Sequence, residues 1–233
     1  MARKETMINN MTSGNVVKQL LTFAYPFMLS NLLQVVYTLV DMIVVGQFVG
    51  SRGLSGVAIG GEICMLFTML CFGFTSAGQI MVSQYVGQDD RESIKKTIGT
   101  MFTSVALIGA VITVISLSCV DWLLGLMNTP AESYDQARNY SVVCFIGTLF
   151  TYGYNTVGSV LRGMGDSKRP FLFVAIAAFL NLVLDLLFVA VFRMDTMGAA
   201  LATVIGQAVS FIIAIIYLYR HKEAFGFDFK LKS

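Results

Sequence analysis

Six apolar runs of bilayer-spanning length constrain this chain more than any other feature. They lie at roughly 19–48, 56–85, 97–120, 139–161, 170–192 and 198–219. Hydrocarbon offers no water to satisfy backbone N–H and C=O groups, so a spanning segment must be a helix or part of a closed barrel. About 20 apolar residues cross a bilayer as a helix, whereas a barrel strand needs only about 9–11. The runs predict an all-α integral membrane protein with six transmembrane helices. The charge content agrees: 13% of residues are charged, against about 25% in soluble domains. The first two runs exceed the hydrocarbon thickness and are expected to tilt, kink or protrude. Pro26 is the expected bend in the first, because proline removes a helix hydrogen bond and clashes with the preceding turn.

The runs divide the chain into a polar N-terminal segment (1–15), a six-helix transmembrane lobe (16–220) and a basic tail or linker (221–233). The N-terminal segment lacks a short apolar core and a small-residue cleavage site, so no cleaved signal peptide is expected. With the N-terminus inside, the outer side holds only Arg52, Arg138 and Arg193 of the 16 Lys and Arg residues. The other 13 then fall on the cytoplasmic side, a positive-inside bias that puts both termini in the cytoplasm. The net charge of +2 gives no reason to expect nucleic acid. The single histidine, His221, lies in the polar tail, which argues against a His-based catalytic or metal site. Cys64, Cys71, Cys119 and Cys144 form no C-x-x-C pair and read as free thiols among apolar residues. Small residues are dense in the spans, among them Gly73, Ala77, Gly78, Gly147, Gly153 and the run Gly198-Ala199-Ala200. They let helices approach closely.

Two carboxylates fall inside these runs, Asp41 in the first and Asp185 in the fifth. A carboxylate at membrane depth costs at least about 2.5 kcal/mol on insertion scales. Such residues face a bundle interior or a wet cavity and commonly serve a proton, an ion or a substrate. Helical spacing gives each a polar neighbourhood. Asn181 and Asp185 are four residues apart. Gln34, Tyr37, Thr38 and Asp41 make one stripe, Thr203, Gln207 and Ser210 another, and Ser76, Gln79 and Ser83 a third. At 1.5 Å per residue, Asp185 stands about 22 Å along its helix from Pro170, and Thr203 about 8 Å from Gly198 on a helix running the other way. Asp41 lies past the middle of its span, so the three groups come to similar height. They could converge on one cavity whose oxygens suit a hard cation such as Na⁺, or whose carboxylates share a proton. Asn155 lies deeper, where it lines the lower cavity or joins two helices.

The loop from Leu161 to Pro170 joins the fourth and fifth spans. Gly163 and Gly165 suit a tight turn and Pro170 a helix's first turn. Gly163-Met164-Gly165-Asp166 matches the G-x-G-D pattern of intramembrane aspartyl proteases. However, Asp166 sits among Arg162, Lys168 and Arg169, as expected for a cytoplasmic surface, and Val40 precedes Asp41 where those proteases carry tyrosine. An enzyme is not expected.

Several segments, in this order and spacing, resemble the multidrug and toxic compound extrusion (MATE) family. They are Pro26 with Asn31, Val40-Asp41-Met42-Ile43-Val44-Val45-Gly46, Gln84-Tyr85-Val86-Gly87-Gln88-Asp89, Leu161 to Asp166 with Pro170, Asn181 to Asp185, and Gly198 to Thr203. The resemblance covers about 16–220 and matches the N-terminal six-helix lobe only. It implies a secondary antiporter of the cell membrane that exports cationic or amphiphilic compounds in exchange for H⁺ or Na⁺, with no cofactor. It also implies a second six-helix lobe, from the same polypeptide or a partner chain. By resemblance, Asp41, Asn181, Asp185 and Thr203 form the cation or proton site, Gln34, Tyr37 and Asn155 line the substrate cavity, and Pro26 is the hinge. Two alternatives stand beside it: a lipid-linked oligosaccharide flippase-like transporter and a non-transporting membrane subunit. The flippase alternative calls for basic residues deep in the spans, and none is expected here.

Overall fold

The computed structural model describes residues 14–220. The N-terminal segment to residue 13 and the tail 221–233, with His221, lie outside the described residues. The described chain is helical: α1 (Val16–Phe48), α2 (Ser51–Gly87), α3 (Arg91–Leu126), α4 (Tyr134–Ile146), α5 (Thr148–Gly163), α6 (Lys168–Asp185) and α7 (Asp195–Arg220). A π-helical turn, Leu186–Val191, extends α6. Five helices are long and apolar enough to cross a membrane: α1, α2, α3, α6 with its π turn, and α7. The fourth expected span differs. It is two shorter helices, α4 and α5, that meet at Gly147. Its composition is less apolar than its neighbours', and Gly147 is pressed against the Val204 side chain of α7.

Local chemistry sets the helix ends. The Asn15 side chain accepts from the Lys18 N–H at 3.1 Å and starts α1. Asp90 does the same for α3, accepting from the Ser93 N–H at 3.1 Å. Each satisfies one N–H that a helix start leaves without a partner. Gly50, at φ +85°, turns the chain between α1 and α2. Gly165, at φ +81°, turns it between α5 and α6, and Pro170 sits in the first turn of α6. Pro26 is buried within an unbroken α1, with its carbonyl accepting from the Ser30 hydroxyl at 2.8 Å. Proline has no N–H for the carbonyl one turn back, that of Thr22. The helix is therefore continuous at the expected bend but lacks one rung there.

The interior is built by apolar layers and close backbone approach. One layer joins Val82, Ile98, Met101, Val157, Leu161, Met164, Phe173 and Leu218 from α2, α3, α5, α6 and α7. A second, near Asp41, joins Val45, Val57, Tyr140, Val189, Ala199 and Ala200. The close approaches run through glycines, since burial of Leu-like side chains gives no advantage over lipid. A Cβ at Gly56 would lie 2.6 Å from Gln136 Cβ, and one at Gly60 would lie 3.1 Å from the Ala137 carbonyl. This Gly56-x-x-x-Gly60 pair seats α4 on α2. Gly206 seats α7 on α6, with the Ala177 carbonyl 3.0 Å from a would-be Cβ. Gly78 and Gly153 meet Met101 and Phe211. Gly73, expected among the packing residues, has open space where a side chain would go.

Polar ties fix the remaining helix pairs. The fully buried Tyr152 ring donates its hydroxyl to the Phe67 carbonyl at 2.6 Å, joining α5 to α2. The Thr196 hydroxyl lies 2.8 Å from both the Gln136 carbonyl and its side-chain oxygen, joining the start of α7 to α4. Arg138 on α4 pairs with Asp121 on α3 at 2.7 Å. Asp166 is buried rather than at the surface expected from its neighbours. Its carboxylate accepts from the Lys168 and Arg169 N–H groups at 3.1 and 3.2 Å and pairs with the Arg169 guanidinium. It starts α6. The G-x-G-D match is thus a turn and a helix cap.

Candidate functional site

Three helices bring together the residues that spacing had placed at one height. Asp41 comes from α1, Asn181 and Asp185 from the last turns of α6, and Thr203 from α7. Asp185 is fully buried, Asn181 is 3% exposed and Asp41 5%. The close seat of α7 on α6 at Gly206 brings Thr203 to Asn181. Asn181 turns its amide nitrogen toward Asp185 Oδ2 at 3.2 Å, and its oxygen accepts from the Thr203 N–H at 3.3 Å and hydroxyl at 3.1 Å. That orientation gives each end of the amide a complementary partner. The Asp41 and Asp185 side chains are near enough for each to act on the other's charge.

One oxygen of each acid, Asp41 Oδ1 and Asp185 Oδ1, is buried without a hydrogen-bond partner among the described residues. No Lys or Arg among the described residues forms an ion pair with either. Native structures leave few buried polar atoms unsatisfied, and those that occur need an explanation such as an ion or a functional role. The π turn begins at the residue after Asp185. Such turns often mark functional positions.

The expected cavity is two cavities. One, of about 360 Å³, is lined by Tyr37, Asp41, Tyr140, Cys144, Thr203 and Gln207 among others. Tyr37 and Gln207 both line it. Gln207 accepts from the Thr151 hydroxyl on α5. The second cavity, of about 210 Å³, takes Gln34 and Asn155. Tyr154 lines it beside Gln34. Tyr37 therefore belongs with the acids, and Gln34 and Asn155 lie apart from them.

One residue changes the reading of the spans. Arg162, assigned by its charge to a loop, is half-buried in the last turn of α5 and lines the second cavity. It donates to Ser159 Oγ at 3.0 Å and to Gln79 Oε1 at 3.3 Å, and lies 5.5 Å from the centre of the Phe27 ring. Arg162 is therefore helical and lines a cavity, but at the end of α5 rather than deep in a span. One guanidinium still falls short of the several cations that a lipid pyrophosphate calls for.

Comparison with known proteins places this arrangement. A family model described as MatE matches residues 26–187. The chain is 35% identical over 211 residues to a Bacillus subtilis protein described as "Probable multidrug resistance protein YpnP", covering 91% of this chain and 47% of that one. It is 32% identical over 219 residues to a second B. subtilis protein, "Probable multidrug resistance protein YoeA", covering 92% and 47%. Among solved structures, a MOP superfamily transporter from Pyrococcus furiosus superposes with a TM-score of 0.88 at 23% identity. It covers 100% of this chain and 50% of that one, and so speaks to the fold alone. The chain spans about half the length of the curated relatives it matches.

Proposed function

The chain belongs to the MatE family, and on that premise we propose that it forms one lobe of a secondary antiporter that exports cationic or amphiphilic compounds in exchange for H⁺ or Na⁺. A second six-helix lobe, from the same polypeptide or a partner chain, completes the pathway. The observation that carries the reading is the pair of neighbouring buried acids, Asp41 and Asp185, each with a buried oxygen that has no hydrogen-bond partner among the described residues. Two facing carboxylates repel in a low-dielectric site, and a shared proton or a bound cation relieves the repulsion. Asn181 and Thr203 add an amide and a hydroxyl beside the pair, oxygen donors of the kind a hard cation takes.

In this account α4 and α5 together make a sixth crossing, and both termini lie in the cytoplasm of a cell-membrane protein. Neutralising the acids changes how α1 sits against α6 and α7. The missing rung at Pro26, 15 residues before Asp41 and thus about 22 Å along the helix, is where α1 bends in response. Tyr37 meets the exported compound beside the acids, and Gln34 and Asn155 meet it further along. Ion and compound then compete for one lobe, which produces exchange. The test is efflux of a cationic dye by the complete two-lobe transporter carrying Asp41→Asn. Ion-coupled efflux is lost under this proposal, and its retention would remove Asp41 from the coupling site.

A further inference from the structure

The second cavity holds a charge that the coupling site does not use. Arg162 is held there by two neutral oxygens, Ser159 Oγ and Gln79 Oε1, and by the face of Phe27. Among the described residues it forms no ion pair with a carboxylate. A guanidinium presents five N–H donors in a planar fork matched to a carboxylate. The two hydrogen bonds occupy Nε and Nη2, and a Cβ built on Gly158 would come 3.1 Å from Nη1. The guanidinium thus lies against Gly158, and Nη1 has no hydrogen-bond partner among the described residues.

The walls around it are neutral or aromatic. Ser30, Gln34, Ser76 and Asn155 supply neutral polar groups, and Phe72 and Tyr154 supply rings. Asn155 and Arg162 are seven residues apart on α5 and share a face. At about 210 Å³ the space is smaller than the roughly 300–1,000 Å³ of a drug-sized pocket, so it suits a small ligand. We propose that this cavity is a binding site for a small aromatic monocarboxylate, its carboxylate on Arg162 and its ring among Phe27, Phe72 and Tyr154. Gln34 and Asn155 lie on the proposed export path as well, so a bound monocarboxylate excludes the exported compound from this cavity, while the carboxylate contact on Arg162 is separate in chemistry from the Asp41–Asp185 pair.

The probe is radiolabelled benzoate, with equilibrium binding measured on the purified full chain in lipid nanodiscs. Saturable binding is expected, with benzamide, its neutral isostere, at least tenfold weaker as a competitor. Arg162→Gln should abolish binding. Asn155→Asp, which puts a carboxylate in the cavity beside Arg162, should do so as well while keeping the guanidinium's packing. If either variant fails to fold, the other carries the comparison, and the benzoate–benzamide contrast needs neither. The proposal is overturned if wild-type protein binds no benzoate, if benzamide competes equally, or if folded Arg162→Gln binds as wild type does. Inorganic phosphate competing as well as benzoate would overturn the carboxylate assignment.

Discussion

Replacing Gly56 by alanine should weaken the protein, although alanine is the better helix former. The new Cβ would lie 2.6 Å from Gln136 Cβ and 2.9 Å from the Ala137 backbone nitrogen. Carbon atoms in contact settle at about 3.5–4.0 Å, so α4 must move by about 1 Å or α2 must. One obstructing atom is backbone, which no rotamer change can clear. Overpacking of this kind costs about 1–3 kcal/mol. The gain in helix propensity returns about 1 kcal/mol. The net loss is up to about 2 kcal/mol, a change of up to about 30-fold in the folded-to-unfolded ratio. Gly61 provides the internal control: it lies on the same helix and no atom stands within 4 Å of its would-be Cβ. Gly61→Ala should be neutral or stabilise by up to about 1 kcal/mol. Unfolding by sodium dodecyl sulfate in mixed micelles, followed by the single tryptophan, Trp122, reads both. Equal effects of the two substitutions would refute the packing argument, as would a Gly56→Ala protein more stable than the wild type.

Three further perturbations have defined outcomes. Tyr152→Phe removes the hydroxyl that reaches the Phe67 carbonyl; a loss of about 0.5–1.5 kcal/mol is expected in the same unfolding assay. Thr196→Val keeps the shape but removes the hydroxyl that reaches both half-buried Gln136 oxygens; about 0.5–1.5 kcal/mol should be lost, and amide exchange should quicken at the start of α7. At the start of α3, hydrogen bonds from Ser93 hold the Asp90 carboxyl below its usual range. A group whose folded value is depressed stabilises above its unfolded value and loses that contribution as pH falls through the folded value. Fraying of α3 at acid pH, read by amide exchange, should therefore begin below the ordinary carboxylate range. Asp90→Asn retains an acceptor and should remove that pH dependence.

The candidate site was largely legible because its signals are local. A four-residue spacing joins Asn181 to Asp185, and the rise per residue puts Asp41 and Thr203 at the same level. The structure adds what only three-dimensional approach can supply, namely the nearness of the acids and the amide bridging Asp185 to Thr203. Helix count was legible from apolar length except at Gly147, where the break follows from packing against Val204 on a distant helix. The same limit hid the Gly56–Gly60 seat, since which face of α2 meets α4 is a tertiary fact. Counting charge by loop misplaced Arg162 and Asp166. Each sits within a turn of a helix end, where one turn separates solvent from interior. Arg162 could have been found from its seven-residue spacing to Asn155.

The central claim is that Asp41 and Asp185 act as one ion-binding pair, and counter-ion movement tests it most directly. In proteoliposomes holding the complete two-lobe transporter, addition of a cationic dye should drive counterflow of protons or of ²²Na⁺. Asp185→Asn should abolish that counterflow while the dye still binds. Undiminished counterflow in Asp185→Asn protein would contradict the account.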